Sequence, residues 1–283
     1  MLFMKGKIVP AMMLTLLLTG MLTLAFNIQP AKASGTIYIR ADGTVDPPTA
    51  PISSGDNVTY TFTDDINDPI VVQKNNVIID GNGKMLRYTE YNSYIGFDLS
   101  YRNNVTIKNA YVAGFSYGVY LNFSSGNTLQ NNTITNSDEP AVYLCNSSSN
   151  TMIGNNITKN RVWGILSEDS SDNTIIGNYV MDNGYLGHLG IELRDSPNNT
   201  LRENIFRGND FGVYGGSILD FIQDVDASNM MDGKPMYYWV NRQNEQVPPT
   251  AGYVALINCT NITVKDLSLE RYSTVRLFWT KNA

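Results

Sequence analysis

The hydrophobic and polar positions of this chain repeat with a period of about 23 residues. Aligned on the threonine of an Asn-Thr pair or its equivalent, the copies begin at Thr106, Thr128, Thr151, Thr174 and Thr200 and read TIKNAYV, TLQNNTI, TMIGNNI, TIIGNYV and TLRENIF. Successive copies are 22, 23, 23 and 26 residues apart. A period in this range predicts a repeat architecture in which each unit buries its apolar face against its neighbours.

The apolar positions fall into three columns that persist from copy to copy. Each column lies in a short run rich in β-branched side chains, which is too short for a helix and typical of a strand. We predict that these columns form the core. They are Ile107, Leu129, Met152, Ile175 and Leu201; Val112, Ile134, Ile157, Val180 and Phe206; and Val119, Val142, Ile165, Ile191 and Val213.

Three strands per repeat, each aligned with the same strand one period later, can pair only in parallel. Parallel crossovers are right-handed in about 98% of cases. The predicted fold is therefore all-β, a right-handed parallel β-helix with coils of ~23 residues. A leucine-rich repeat has a similar period, but it requires a Leu-dominated pattern and often a helix, and neither is evident here.

Polar columns lie between the predicted strands. Asparagine tolerates the left-handed backbone of a sharp corner, and amides stacked at the ~4.8 Å strand spacing can hydrogen-bond along the stack. We therefore assign the asparagine columns, and a serine column beside them, to structure rather than to catalysis. The columns are Asn127, Asn150, Asn173 and Asn199; Asn132, Asn155, Asn178 and Asn204; Asn160, Asn183 and Asn209; and Ser124, Ser147, Ser170 and Ser196.

Residues 1–33 have the features of a secretory signal peptide. Lys5 and Lys7 precede an apolar run from Ile8 to Phe26, and Ala31-Lys32-Ala33 forms an A-x-A cleavage pattern. The run is also long enough for an uncleaved membrane anchor, but the small-residue site favours cleavage after Ala33. We expect a secreted or cell-surface protein that is not integral to the membrane after cleavage.

The rest of the chain divides into N-terminal cap strands at 34–75 and the β-helix at 76–283. The cap should hold strands at Thr36–Arg40 and Val58–Phe62, because the end of a solenoid needs an atypical segment over its unpaired backbone. A non-repeat insertion, a strand-turn-strand excursion, is expected at 229–250. The chain stops in mid-coil, so we expect missing C-terminal coils or a capping partner.

The composition argues against a nucleic-acid partner. The chain has 20 basic and 26 acidic residues, and setting aside the three lysines of the predicted signal peptide widens the net charge from −6 to about −9. A phosphate-binding protein needs a surplus of Lys and Arg on one face, which does not occur here. Cys145 and Cys259 occupy non-equivalent repeat positions, so a disulfide is possible, but free thiols are at least as well supported.

An outward column runs through the G-Φ-x-L segments: Asp98, Tyr120, Tyr143, Leu166, Glu192 and Tyr214. Aromatic faces interleaved with carboxylates suit sugar rings, which present apolar faces and hydroxyls. Alternatively, the tyrosines only stabilise the sheet, by ~0.2–1 kcal/mol per pair, and the carboxylates form a solvated charged face or hold calcium. A loop at Gly184–Leu189, which contains His188, is expected to border the same outward face. The candidate ligand-binding residues are Tyr120, Tyr143, Glu168, Asp169, Glu192, Arg194, Asp195 and Tyr214.

The N-T-[IL]-x-x-N-x-[IV]-x-x-N coils, the NVIIDGNG segment at Asn76 and the GKPMYYW segment ending at Trp239 together resemble the NosD-type family of exported right-handed β-helix proteins. The resemblance covers nearly all of the mature chain, and archaeal surface proteins of this type look especially similar. It implies the fold specifically and the function only broadly. Such coils occur in carbohydrate-binding proteins, sugar hydrolases and lyases, and the family's name implies a copper-related role in maturing nitrous oxide reductase.

The copper role would require thiolates, thioethers or imidazoles brought together. One histidine and two cysteines are scattered over the chain, and Met230, Met231 and Met236 form the one methionine cluster, so we expect no copper site. The hydrolase motifs of polygalacturonase-type β-helices are matched only in part, by Asn136-Ser137-Asp138, Glu168-Asp169 and the residues around His188.

These sequence features favour a surface carbohydrate-binding or scaffold module whose partner is a polysaccharide or surface glycan. The alternatives are a polysaccharide hydrolase or lyase and a NosD-like copper-related maturation factor. No catalytic residue is assigned, and calcium is the one cofactor left open.

Overall fold

The computed structural model describes residues 35–88, 94–184, 189–269 and 274–283. The predicted signal peptide and His188 lie outside these ranges. Within them the protein is nearly all β, with a short 3₁₀ helix at Ile218–Phe221. No helix among the described residues is long and apolar enough to cross a membrane.

The strands of the first half are β1 (Ile37–Ile39), β2 (Val45–Asp46), β3 (Ile52–Ser53), β4 (Thr59–Phe62), β5 (Ile70–Val72), β6 (Ile78–Asp80), β7 (Met85–Arg87), β8 (Ile95–Asp98), β9 (Thr106–Lys108), β10 (Tyr111–Ala113), β11 (Tyr117–Asn122), β12 (Thr128–Gln130), β13 (Thr133–Thr135) and β14 (Val142–Cys145). Those of the second half are β15 (Thr151–Ile153), β16 (Asn156–Thr158), β17 (Ile165–Glu168), β18 (Thr174–Ile176), β19 (Tyr179–Met181), β20 (Leu189–Arg194), β21 (Thr200–Arg202), β22 (Ile205–Arg207), β23 (Asp210–Tyr214), β24 (Asp224–Val225), β25 (Met230–Met231), β26 (Lys234–Val240), β27 (Tyr253–Ile257) and β28 (Val275–Phe278).

These strands form three sheets. Sheet 1 has the order β2-β1-β5-β8-β11-β14-β17-β20-β23, sheet 2 the order β28-β27-β26-β25-β22-β19-β16-β13-β10-β7, and sheet 3 the order β24-β21-β18-β15-β12-β9-β6-β4-β3. Neighbouring strands pair in parallel, except β1 with β2, β3 with β4 and β25 with β26. The fold is the predicted right-handed parallel β-helix, with about nine turns of ~23 residues.

The strand register joins the predicted core columns almost throughout. Ile134, Ile157 and Val180 are paired across β13, β16 and β19, and all three are buried. The third column differs at its last member, because the register between β20 and β23 shifts between Leu189 and Ile191. Ile191 therefore pairs with Phe211, and the placement of Val213 in this column was wrong.

The asparagine columns form buried hydrogen-bonded ladders, as predicted. Asn155 Nδ2 donates to the Leu129 carbonyl at 2.8 Å and to Asn178 Oδ1 at 2.9 Å. Asn155 Oδ1 accepts from the backbone N–H of Asn132 at 3.0 Å. One side chain thus connects three successive coils and satisfies backbone groups that face the interior.

The left-handed conformation does not belong to the ladder asparagines, which corrects the prediction. It belongs to the residue before each of them, such as Gly154, Asp172 and Glu203, with φ of 66°, 58° and 55°. That residue turns the chain at the corner, and the asparagine that follows has an ordinary φ and aims its amide inward.

The boundaries of the helix also differ from those predicted. Strands β1 and β4 lie in the two predicted cap segments, but β4 and β5 already pair in parallel with β6 and β8. The helix therefore begins before residue 76, and β2 and β3 are antiparallel edge strands. At the other end, Met230 and Met231 pair with Ile205 and Phe206. The excursion starts only after residue 231, where β26 turns back on β25.

The core column can be tested with Ile157→Asp. Ile157 is 0% exposed, so an unpaired carboxylate there should destabilise the protein by about 4 kcal/mol or more and unfold neighbouring coils as well. Asn155→Ala should be milder, about 1–3 kcal/mol, because it removes hydrogen bonds without burying a charge. Thermal melting followed by circular dichroism measures both. An unchanged melting temperature for Ile157→Asp would show that the column is not core.

Candidate functional site

The outward face of sheet 1 carries most of the predicted site residues in two neighbouring columns. Residues two apart on a strand share a face, so both columns lie on the side opposite the core. The first column pairs Tyr120, Tyr143, Leu166 and Glu192 across β11, β14, β17 and β20, and the second pairs Asn122, Cys145, Glu168 and Arg194.

Three tyrosines form an aromatic cluster at one end of these columns. The ring centroids of Tyr120 and Tyr143 are 5.5 Å apart, and Tyr117 lies 5.5 Å from Tyr120 and 5.8 Å from Tyr143. All three residues are half-buried. Tyr117 was missed by the sequence analysis, although it immediately precedes the glycine of the same G-Φ-x-L segment.

A continuous polar network follows the aromatic cluster. The Tyr143 hydroxyl donates to Glu168, and Arg194 donates to Glu168 at 2.6 Å and to Glu192 at 2.5 Å. Trp163 Nε1 donates to the other oxygen of Glu192 at 2.9 Å, and the Arg194 guanidinium lies 5.6 Å from the Trp163 ring centroid. Glu192 is only 2% exposed, and a carboxylate so deeply buried requires partners of this kind.

The protonation states follow from these contacts. Burial acts to lower the pKa of Arg194, but the Glu192 and Glu168 carboxylates outweigh it and raise the pKa above its usual range. Burial, followed by the hydrogen bond to Glu168, raises the pKa of Tyr143 far above its usual range. At neutral pH, Arg194 is therefore a cation and Tyr143 a neutral phenol that donates a proton to a hydrogen bond.

Asp169 and Asp195 lie beside this network. Each occupies a left-handed corner one residue beyond its strand, with φ of 49° and 45°, and each is exposed. The backbone N–H of Asp169 donates to the Arg194 carbonyl at 3.1 Å, so the two corners belong to adjacent coils. The two carboxylates therefore border the face where the sequence predicted them.

Tyr214 is displaced from its predicted column. The register shift pairs Glu192 with Gly212 and Arg194 with Tyr214. The Tyr214 ring nevertheless covers the column, since a Cβ on Gly212 would lie 2.7 Å from its Cε2 atom. An aromatic ring thus occupies the predicted place, although it comes from the neighbouring position.

A second ion pair, not predicted, lies on the last strand of sheet 1. Arg276 of β28 donates to Asp210 of β23 at 2.5 Å across 66 residues of sequence. Burial raises the pKa of Asp210, and the nearby Arg276 opposes that shift without cancelling it. No local pattern signals this contact, because the two residues belong to different sheets.

The described residues form no cluster of imidazole, thiolate or carboxylate ligands for copper or calcium. They include no group of three or more His, Cys, Asp or Glu side chains placed to hold a metal ion. Met231 and Met236 are buried in the core, so their thioethers are not open to a metal. Cys145 and Cys259 are free thiols in different coils. Arg194 engages the Glu168 and Glu192 carboxylates, whereas calcium needs six to eight oxygen ligands.

These features define a parallel β-helix protein with an aromatic and acidic outward face. The chain belongs to the NosD family, described as periplasmic copper-binding proteins, whose profile matches residues 50–206. No curated protein matches the chain in a search of whole sequences.

The chain is similar to two solved structures, among others. An alginate lyase from Paenibacillus sp. str. FPU-7 is 13% identical with a TM-score of 0.51, over 88% of this chain and 100% of the lyase. The periplasmic alginate epimerase AlgG is 18% identical with a TM-score of 0.44, over 77% of this chain and 50% of the epimerase. The chain thus spans about half the length of the epimerase. At such low identity the likeness concerns the fold alone.

The polar network can be tested with Arg194→Met. The substitution leaves the buried Glu192 carboxylate without its cation and should destabilise the protein by about 2–3 kcal/mol. Adding Glu192→Gln should recover part of that loss, because the two residues interact directly. Urea unfolding followed by tryptophan fluorescence measures both changes.

The matched control is Arg161→Met. Arg161 pairs with Asp138 at 3.8 Å with both side chains more than half exposed, so its loss should cost under ~1 kcal/mol. Equal effects of the two substitutions would contradict a supporting role for Arg194.

Copper binding has a separate test. Purified protein should retain no Cu(I) in competition with a strong chelator, because the described soft donors are buried or dispersed. Stoichiometric retention that disappears in Met230→Leu would overturn this expectation, and the same loss in His188→Ala would place a copper ligand outside the described residues.

Proposed function

We propose that this protein is an exported β-helix module that binds a neutral saccharide chain along the outward face of sheet 1. The observation that carries the proposal is that the tyrosine cluster lies directly beside the Glu168–Arg194–Glu192 network on the same face. A sugar ring has apolar C–H faces and a rim of hydroxyls, so it requires an aromatic surface next to fixed hydrogen-bonding groups. Export is supported by the family's description as periplasmic.

The charge of the face favours a neutral ligand. Among the outward positions of β8, β11, β14, β17 and β20, the acidic side chains are Asp98, Glu168 and Glu192 and the basic one is Arg194. The corner carboxylates of Asp169 and Asp195 add to the negative charge, and Arg194 is already engaged by two carboxylates. A polyuronate such as alginate would meet uncompensated like charge here.

Hydrogen bonds within the face also preorient its side chains for a ligand. The hydroxyl of Tyr143 and the guanidinium of Arg194 are held by hydrogen bonds between strands of three successive coils. Side chains fixed in this way lose little conformational entropy on binding. Hydroxyl groups of a sugar can then exchange water for preoriented carboxylate and phenol groups without rearrangement of the protein.

We propose binding rather than catalysis because of how the carboxylates are placed. Glu168 and Glu192 both point at the same guanidinium. A glycosidase pair instead faces across an open gap of about 5–9 Å that accommodates the scissile bond. The alginate-acting proteins share the fold with this chain, but fold and activity are separable.

A glycan array of neutral and acidic polysaccharides tests the proposal. Tyr143→Ala and Asp195→Ala should each weaken retention on a neutral glycan, by about tenfold for the tyrosine, since it removes an aromatic contact from the centre of the site. Asp64→Ala, near the N-terminal end, and Tyr179→Ala, an exposed aromatic residue of sheet 2, should bind like the parent. Equal retention by all four variants would place the binding surface elsewhere.

The same preparations test for catalysis. Incubation with the retained polysaccharide should release neither reducing ends nor unsaturated ends. Release of either by the parent, and its loss in Glu168→Gln, would replace the binding function with a hydrolase or lyase.

A further inference from the structure

In each of five successive coils, the chain turns at a corner shortly after its sheet 1 strand. Each corner residue has a left-handed backbone, and its N–H donates to the carbonyl of the neighbouring coil. These residues are Tyr101, Phe123, Asn146, Asp169 and Asp195, with φ of 60°, 50°, 49°, 49° and 45°.

The first two members of this row are the wrong residue types for the conformation. Asparagine, aspartate and glycine adopt a left-handed backbone readily, whereas a bulky side chain rarely does. Most left-handed residues of the described chain are indeed Asn, Asp or Gly. Tyr101 and Phe123 are exceptions, and they are 59% and 55% exposed. Neither backbone preference nor burial in the core accounts for an aromatic residue at these corners.

The two rings form one parallel surface. Their centroids are 5.7 Å apart and their planes differ by 2°. Trp279 is another exposed aromatic residue with a left-handed backbone, but it packs against Phe221 at 5.1 Å and Phe278 at 6.4 Å. For the Tyr101–Phe123 pair, the ring contact is with each other, and the row continues into an amide and two carboxylates.

This pair adjoins the tyrosine cluster. Phe123 directly follows β11, the strand that carries Tyr117 and Tyr120. Burial is the main cause that raises the pKa of Tyr120, and Tyr101 is close enough to add to the shift. The corner pair and the tyrosine cluster therefore lie at neighbouring positions, one at the corner and one on the outward face of sheet 1.

We propose that Tyr101 and Phe123 form a second aromatic subsite, which stacks on a pyranose ring of the same neutral saccharide chain and extends the binding face to the corner. This inference rests on the proposed function. Each residue of this pair is more than half exposed, so it adds no packing to the core, and each has a left-handed backbone that is strained for a bulky side chain. Stacking on a sugar ring uses the exposed aromatic surface.

The test replaces each aromatic residue by the residue that the third coil has at the same corner. Phe123→Asn and Tyr101→Asn both copy Asn146 and suit the left-handed backbone, so the thermal midpoint should stay equal or rise. Affinity for a neutral hexasaccharide should fall about fivefold to tenfold. The probes are cellohexaose, mannohexaose and chitohexaose, each compared with its disaccharide by calorimetry.

The matched control is Tyr179→Asn. It removes an exposed aromatic residue from sheet 2 and introduces the residue that β16 has at the paired position, Asn156. This variant should bind like the parent. A weakening by Phe123→Asn that is larger for the hexasaccharide than for the disaccharide supports a subsite at the corner.

The outcomes separate the two proposals. If Tyr143→Ala weakens binding while Phe123→Asn and Tyr101→Asn bind like the parent, the corner subsite is wrong and the proposed function stands. If the parent binds none of the probes, or if all variants bind equally, both proposals fail.

Discussion

Inward-facing amide ladders are the constraint on which the rest of this structure depends. At the corners that carry these ladders, backbone N–H and carbonyl groups face the interior, where they need partners other than water. Asn150 shows the solution: its Oδ1 accepts from the backbone N–H of Asn127 at 2.9 Å, while its Nδ2 donates to the carbonyl of Ser124 at 2.9 Å. Because such contacts require one coil to stand directly above the next, the ladders fix the spacing of the whole helix.

The ladders also explain where the chain can vary. Between Asn183 and Asn209 the repeat contains three extra residues, yet Asn183 Nδ2 still donates to Asn209 Oδ1 at 3.0 Å. Among the described residues of this coil, the departure from the repeat is seen as a register shift between Leu189 and Ile191. An outward side chain touches neither ladder nor core. The coils can therefore carry tyrosines, an arginine network or a strained aromatic corner while keeping the same interior.

The sequence predicted the features that depend on the repeat and missed those that depend on departures from it. The period of 22 to 23 residues was enough to pair Tyr120 with Tyr143 and to place Glu168 beside Arg194. At the 26-residue copy the alignment became ambiguous by a residue or two, which is why Tyr214 and Val213 were misplaced. Trp163 contacts Glu192 of the next coil, and Arg276 contacts Asp210 of another sheet. Both contacts depend on side-chain length and on the long-range fold, which an alignment of the repeats does not show.

The repeat pattern and the proposed binding face use different positions of the same coil. The N-T-Φ-x-x-N pattern recurs within the region that matches the NosD family. It consists largely of ladder asparagines and core residues, which face inward. The outward residues, Tyr143, Arg194 and Phe123 among them, fall at positions that this pattern leaves open. The family is described as copper-binding, whereas the described Cys, Asp and Glu residues of this chain form no group placed to hold a metal ion. For a β-helix of this kind, the ligand has to be argued from the outward columns, because the inward core and ladder positions repeat from coil to coil.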